Sequence, residues 1–498
     1  MRRILSNQEE RRLSIIELLS DLTEPITYKE LASRLESSQR TISDDIDTIS
    51  EIATQFTIHS TGPTVELIYK SNQNIQTVYR YFLSTSKGFM IINEILKHGS
   101  LTLDDLVSKL NLSRSTLYRL LSTMNIALKE RYSIEISFNP FKFIGKEIDI
   151  RYFLTQFITE RYFDTLSEIS WLNIEYLDNL LIFLNQDLNT TIDYTILRTV
   201  KHSIIINAIR LKQGFYEFDD VEFRQDLVEQ LLDKHPLIRE QLTHLFKSNN
   251  VQFEVQLVYD LFKGSLLKNY YYSTKELLYA LDGNPALRTS YNRLKAMLHT
   301  ISEQFTLSLP NEEDLIYYLF SSVTLYKFVM NSSYILYDAK GLFVKDLVKH
   351  HPSFVDACKA QLVEYLNASS IEYHPDFLNH LIYILYTHWE NLSTSLYTNG
   401  RIVKALIISA FDINHALMVK SQLTFQFSNR IHFDVYTDAL LDFDSLSQSD
   451  YDIIIGNYPL PKLSDKHTLT IRSIITIEDT IALLNILNEM FDSNPKEH

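Results

Sequence analysis

Two short polar runs, SSQRTIS at 37–43 and SRSTLYR at 113–119, hold residue types that read duplex DNA. Arginine donates a fork of N–H groups to the O6 and N7 acceptors of guanine, while serine, threonine and glutamine reach base edges or phosphates. The first run offers Ser38, Gln39, Arg40, Thr41 and Ser43; the second offers Ser113, Arg114, Ser115, Thr116, Tyr118 and Arg119. Asp44 and Asp45 follow the first at once, so the more basic second run is expected to supply more of the affinity.

Covalent chemistry has fewer candidates. The chain has no HExxH, no paired CxxC and no serine in a GxSxG elbow. One cysteine, Cys358, excludes an intramolecular disulfide framework and a thiolate-rich metal site, and reads as a buried small hydrophobe. His380 and His388 are eight residues apart, too far for one helix-face metal pair, and His350 and His351 adjoin Pro352 without an acidic partner, so no metal is assigned. His202, in KHSIIINAIRLKQG, lies near the core face of an apolar helix and reads either as a satisfied, partly buried histidine or as a regulated site. With 10 glycines and 11 prolines in 498 residues, glycine-rich phosphate cradles are disfavoured and no cofactor is expected.

The elements that must position the two polar runs repeat. TYKELASRLESSQRTISDDI at 27–46 aligns without gaps on TLDDLVSKLNLSRSTLYRLL at 102–121, at an offset of 75. Thr27 and Thr102 are N-cap candidates, with Glu30 and Asp105 three residues on. Ser38 and Ser113 start a second helix, whose apolar positions Ile42, Ile46, Ile49 and Leu117, Leu121, Met124 recur at helical spacing. A leading helix precedes each pair, at 11–22 and 88–99, and a β-rich stretch with a Gly-Pro or Asn-Pro turn follows, at 55–70 and 132–151. This is the winged helix-turn-helix plan, twice. In such modules the N-terminal residues of the second helix enter the major groove.

Charge divides the chain. Residues 1–160 hold 19 Lys and Arg against 20 Asp and Glu, while 161–498 hold 28 against 42, so nearly all of the net −15 lies outside the repeat. A DNA-facing N-terminal part and a DNA-repelled remainder follow. Apolar runs such as ALIISAF at 405–411 are far short of the ~20 residues a membrane helix needs. The start MRRILSNQEERR lacks a signal-peptide core, and a cytoplasmic protein with no membrane partner is expected.

From about 160 to 398 the pattern is helical, with a turn cluster, DGNPA, near 285. Beyond it strands and helices alternate: IVKALIIS, HALMVKSQL, IHFDVYT, DYDIIIGN, TLTIRSIIT and EDTIALLNILNEMF imply a small parallel-sheet domain. The fold class is therefore multidomain and mostly α. The expected divisions are winged helices at 1–70 and 71–160, helical bundles at 161–284 and 285–398, and an α/β domain at 399–498.

The duplicated winged helices, SRSTLYRLL, the wing ending FIGKEIDIRYFL, the KHSIIINAIR segment and the C-terminal domain resemble the Mga- and AtxA-type virulence regulators of Gram-positive bacteria. That family is similar to transcription factors controlled by the sugar phosphotransferase system. The resemblance implies that the middle is two phosphotransferase-system regulatory (PRD) domains, whose histidines accept phosphate from phosphocarrier proteins. His202 matches the position in the first, and His380, in FLNHLIYIL, matches it in the second better than His388 does. VQFEVQLVYDLF and NEEDLIYYLFSSV lack a histidine where the sugar-operon regulators often have one. The C-terminal domain is similar to enzyme IIB components, but SAFDINHA after its first strand has no cysteine, which removes thiolate phosphotransfer; Asp412 there reads as a helix cap. The family further implies a homodimer through the C-terminal region.

The reading is a non-enzymatic, DNA-binding transcription regulator, an activator of virulence or carbohydrate-linked genes. One rival is a sugar-operon activator under strict histidine phosphorylation. A rival from a different class is a phosphotransferase enzyme IIB-like component, against which the missing strand-end cysteine argues directly.

Overall fold

The computed structural model describes residues 1–22, 24–52, 56–162, 177, 194–216, 225–248, 250–262, 271, 273–329, 333–398, 402–427, 430–438, 440–463 and 466–492. These form two compact units: residues 1–294 with 313–384, and residues 295–312 with 385–498.

In the larger unit the repeat folds twice. The first copy runs α1 (Asn7–Asp21), β1 (Ile26–Thr27), α2 (Tyr28–Arg34), α3 (Gln39–Ile52), β2 (Phe56–Thr61) and β3 (Thr64–Tyr69). Helix α1 starts earlier than the apolar spacing alone suggests, because Ser6 and Glu9 close a capping box there. Thr27 caps α2 by accepting from the Glu30 N–H at 3.1 Å. Strands β2 and β3 pair along their whole length as the first wing, around Gly62 at φ +61°, a conformation that costs glycine little. Gln55, the first residue of the expected wing, lies outside the described residues.

The second copy is α4 (Ile75–Thr85), α5 (Lys87–His98), α6 (Leu103–Leu110), α7 (Arg114–Tyr132), β4 (Glu135–Ile136) and β5 (Phe143–Ile144), followed by α8 (Glu147–Tyr162). Its wing is shorter than the alternating run 132–151 implies, since α8 begins at Glu147. Glu147 and Asp149 favour the positive end of a helix, and Arg151 pairs with Glu147 one turn on, so this segment winds instead of extending.

The helix-to-helix turns coincide at the 75-residue offset. Glu36 and Asn111 both adopt left-handed backbone, at φ 48° and 51°. Ser37 N–H donates to Ala32 O at 2.9 Å, and Leu112 N–H to Val107 O at 3.3 Å, the same bond in each copy. The predicted core positions Ile42, Ile46, Ile49, Leu117, Leu121 and Met124 are all buried. Each such side chain contributes about 2 kcal/mol on leaving water.

The helical middle contains α9 (Tyr194–Lys212), α10 (Gln225–Lys234), α11 (Pro236–Ser248), α12 (Val255–Leu261), α13 (Thr274–Ala280), α14 (Pro285–Gln304), α15 (Glu312–Val329), α16 (Ala339–His350), α17 (Pro352–Ala368), α18 (Pro375–His388) and α19 (Leu392–Thr398). Of VQFEVQLVYDLF, expected helical throughout, only Val255–Leu261 is α-helix. One apolar cluster joins both winged helices to α8, α9, α11 and α12, and takes in Ile335 and Leu336 from the segment before α16.

In the smaller unit, β6 (Val403–Ile408), α20 (Ile413–Phe427), β7 (Ile431–Val435), α21 (Phe443–Ser447), β8 (Ile453–Gly456), β9 (His467–Thr470) and α22 (Ile477–Asp492) build a parallel sheet in the order β7-β6-β8-β9. Ala405 and Ile407 face the core beneath α20 and α22, while Leu406 and Ile408 face a second cluster with Leu446 and Leu463. Burial on both faces explains the unbroken apolar run of β6. The last strand stops at Thr470, short of the expected TLTIRSIIT, and the short helix α21, capped by Asp442, has no forerunner in the sequence reading.

Candidate nucleic-acid interface

The N-terminal residues of α3 and α7 reach the surface in both copies. Ser38, Gln39 and Arg40 are exposed, with Thr41 and Ser43 half-buried; Ser113, Arg114, Ser115, Tyr118 and Arg119 are exposed, with Thr116 half-buried. The serines at the two starts are helix caps. Ser38 Oγ accepts the Thr41 N–H at 3.1 Å, and Ser113 Oγ accepts the Thr116 N–H at 3.1 Å. Their hydroxyls also meet Thr41 Oγ1 and Thr116 Oγ1, each at 2.8 Å. Each cap therefore orients its helix start, and the guanidiniums of Arg40, Arg114 and Arg119 are the groups that extend beyond it.

Their electrostatic settings differ. Arg114 donates to Asp104 on α6 at 2.9 Å, an exposed pair that a phosphate or base would have to displace. Arg40 and Arg119 have no ion-pair partner among the described residues. Asp45, which the sequence places among the acids spoiling the first copy, is turned inward: it is buried and accepts from Arg11 and Arg12 of α1. Only Asp44 of that pair stands exposed beside the first reading helix. The adjacent arginines on α1, Arg11 and Arg12, were the available signal.

Tyr118 is less free than its place in SRSTLYR suggests. Its ring stacks on Phe138 of the second wing, centroids 5.9 Å apart and 28° from parallel, and it approaches Phe141. Asn125 joins the same wing to α7, donating to Ile136 O at 2.9 Å and accepting its N–H at 2.8 Å. The wing and reading helix of the second copy are thus one polar and aromatic assembly. Behind it, Thr102 and Asp105 close a capping box, and the hydroxyl and N–H of Thr102 hold the Asp105 carboxyl below its usual range.

The two histidines have opposite surroundings. His202 on α9 is fully buried against α8, its Nδ1 2.8 Å from Thr159 Oγ1. His380 on α18 is half-buried, its Nδ1 against Lys340 Nζ. Burial draws Lys340 down to about 8, against the pull of Asp338 and Asp376. His388 lies on the last turn of α18, beside Thr387. Among the described residues no group of His, Cys, Asp and Glu is placed to hold a metal ion. Cys358 is buried in α17, and burial pushes its thiol up. Asp412 caps α20, accepting the His415 N–H at 2.8 Å. No helix among the described residues is long and apolar enough to cross a membrane.

Comparison with known proteins matches three segments of the chain. Residues 11–62 match a helix-turn-helix domain, 71–158 the Mga helix-turn-helix domain, and 173–392 the PRD domain of the M protein trans-acting positive regulator. A Streptococcus pneumoniae serotype 4 protein named "Putative trans-acting regulator" is 27% identical over 492 residues, 98% of this chain and 99% of the relative. The "Capsule synthesis positive regulator AcpA" of Bacillus anthracis is 23% identical over 331 residues, 62% of this chain and 64% of the relative. With helix-turn-helix modules that present cations and a PRD-matching middle, the chain belongs to the Mga family of transcription regulators.

Proposed function

We propose that the protein binds promoter DNA through both winged helices and activates transcription of surface or virulence genes. The observation that carries this is the pair of capped reading helices, each presenting arginine at its exposed start with the same turn geometry 75 residues apart. The relatives' names, positive regulator of capsule synthesis and trans-acting regulator, support the activating sign and the class of target. Titrating a labelled promoter-length duplex with the full chain at two salt concentrations tests it. Saturable binding that weakens steeply with salt is expected. No binding at low salt refutes it.

The remaining assignments belong to the same reading. The domain plan is 1–70, 71–160, 161–284, 285–398 and 399–498, with two PRD-like bundles and an enzyme-IIB-like end that serves assembly. In the cytoplasm the partner is duplex DNA, with phosphocarrier proteins as regulators. His380 is the phosphate acceptor the geometry favours, since its ring is reachable and Lys340 stands ready to meet the added charge. A phosphocarrier reaches His202 only after α8 and α9 part. Homodimerisation through the smaller unit is supported by large apolar side chains left in water on α20 and α22, among them Leu417, Phe425, Ile477 and Ile481. Sedimentation of Leu417→Lys with Ile477→Lys tests this: monomer is expected, and an unchanged dimer would overturn the assignment.

A further inference from the structure

The segment Ser333–Asp338, between α15 and α16, is the part of the second helical region that enters the core of the winged helices. Ile335 and Leu336 are 1% and 4% exposed within that core. A buried loop must satisfy its backbone amides, and here one side chain does so. The N–H groups of Ile335, Leu336 and Tyr337 all donate to the Glu160 carboxylate on α8, the latter two at 2.9 and 3.0 Å. Consecutive amides converging on one anion form a nest.

At one end this segment grips the last turn of α7. Tyr132 Oη donates to Tyr334 O at 2.6 Å, and the Arg131 guanidinium lies 4.6 Å from the Tyr334 ring centroid. Tyr337 packs on Tyr79 of α4, centroids 5.1 Å apart. Its two terminal residues, Ser333 and Asp338, hold the helices around His380. Ser333 N–H donates to Asp376 Oδ2 on α18 at 3.0 Å, and Asp338 caps α16 at the Gly341 N–H, 2.7 Å. Asp376 is shared: Arg131 Nη2 is 4.0 Å from the same oxygen. Asp376 also lies one helical turn before His380, which touches Lys340 two residues beyond Asp338.

We propose that residues 333–338 are a coupling strap, which ties the pose of the second reading helix to the arrangement of Asp376, Lys340 and His380. The inference rests on the reading that α7 meets DNA. A change of charge at the Asp376–Lys340–His380 cluster alters the pull on Arg131 and Ser333. Because Tyr334 is bonded to the end of α7 and Glu160 fixes the strap against α8, that change is delivered to α7 and its wing without passing through the intervening chain.

The test uses the full chain with Glu160→Gln and, separately, Tyr132→Phe. Glu160→Gln replaces one acceptor oxygen by a donor facing the amides, and Tyr132→Phe deletes one bond inside an intact core. Both sites lie away from Arg40, Arg114 and Arg119. Hydrogen exchange of the 333–338 amides and duplex affinity are read on each, beside Arg114→Ala/Arg119→Ala. Exchange about tenfold faster or more in the strap is expected in both, with duplex affinity moved at least about threefold in the same direction. Should Arg114→Ala/Arg119→Ala leave affinity unchanged, the DNA-facing role of α7 fails, and the strap with it. Should that pair weaken binding while faster strap exchange leaves affinity unaltered, the coupling alone is overturned. Strap amides exchanging at the wild-type rate in both variants also overturn it. If Glu160→Gln fails to fold, Tyr132→Phe decides between these outcomes.

Discussion

Replacing Arg114 and Arg119 together by alanine isolates the second reading helix. Both side chains are exposed, and Leu117, Leu121 and Met124 supply the core side of α7, so melting should match the wild type. An arginine on a base edge is worth about 1–3 kcal/mol. For Arg119, which has no ion-pair partner among the described residues, that whole range applies. Arg114 must first leave Asp104, and an exposed pair of this kind returns up to about 1 kcal/mol, so its net loss is smaller. Together the loss is about 1–5 kcal/mol, a fall in affinity of about 5- to 5,000-fold. Anisotropy titrations of a labelled duplex across a salt series measure both the loss and its kind. Phosphate contacts weaken all sequences alike and flatten the salt slope by about 1 per arginine, whereas base contacts erode the preference for one sequence. Unaltered affinity and slope in a double variant that melts like the wild type would refute the placement of α7 against DNA. Arg40→Ala is the companion measurement. With Asp44 exposed beside it, its loss should be smaller than that of the pair.

Asp45→Ala should destabilise the first winged helix by about 1–3 kcal/mol, since Arg11 and Arg12 lose the buried carboxylate that joins α1 to α3; a shift below 0.5 kcal/mol in thermal melting would remove the clamp from the account. Asp260→Ala should cost about 3–5 kcal/mol, because its two bonds to Arg151, both 2.9 Å, are buried, and Asp260→Ala with Arg151→Met should recover much of that loss. Denaturant titration compares the two, and a double variant as unstable as the single one contradicts the argument. Glu160 gives a pH dependence. Burial raises its carboxyl from 4.5 to about 7, with Asp338 adding to the rise and the three strap amides opposing it. A folded value above the unfolded one means stability that is complete below about pH 4.5 and lost as pH climbs through about 7, up to about 3 kcal/mol. The wild type should therefore lose melting temperature over that window relative to Glu160→Gln; parallel profiles would show that Glu160 does not titrate there.

What the sequence made legible was local. The N-caps Thr27, Ser38, Thr102 and Ser113, the helical spacing of Ile42, Ile46 and Ile49, and the unbroken apolar run of β6 each depend on neighbours within a turn or a strand, and each is found in the structure. The errors arise where a distant partner decides. Asp45 reads as a surface acid until Arg11 and Arg12 are placed over it, 34 and 33 residues away. KEIDIR alternates like a strand, yet Glu147 serves Arg151 and Arg210 on α9, and a helix is the conformation that points it at both. The strap SYILYD has no periodicity at all. Its structure is set by Glu160, 175 residues earlier, and by Tyr132, further still. His202 and His380 were equivalent candidates as residue types; burial against α8 and contact with Lys340 separate them.

The same distant partners bear on how the DNA-binding part is studied. An expected boundary at 160 falls inside α8, two residues before its end. That helix is more than a linker. Arg151 on it is 3% exposed, bonded to Asp260 and to Phe215 O, while Arg210 reaches back to Glu147 and Gln213 Nε2 to Leu96 O on α5. A chain cut at 160 would leave Arg151 without Asp260, Glu147 without Arg210 and Glu160 without its three amides. It would also strip from the common core Ile205, Ile209 and Leu336, which are buried in one cluster with Phe153, Phe157 and Ile158 of α8. Unpaired buried charges and new apolar surface both favour unfolding, each by amounts comparable with the whole stability of a domain. Loss of DNA binding by such a fragment would therefore report the missing core and say nothing of α3 and α7, whereas point substitutions at Arg40, Arg114 and Arg119 leave that core untouched. The winged helices and the first helical region fold around shared side chains, which is also why a change in the helical middle has a physical route to the reading helices.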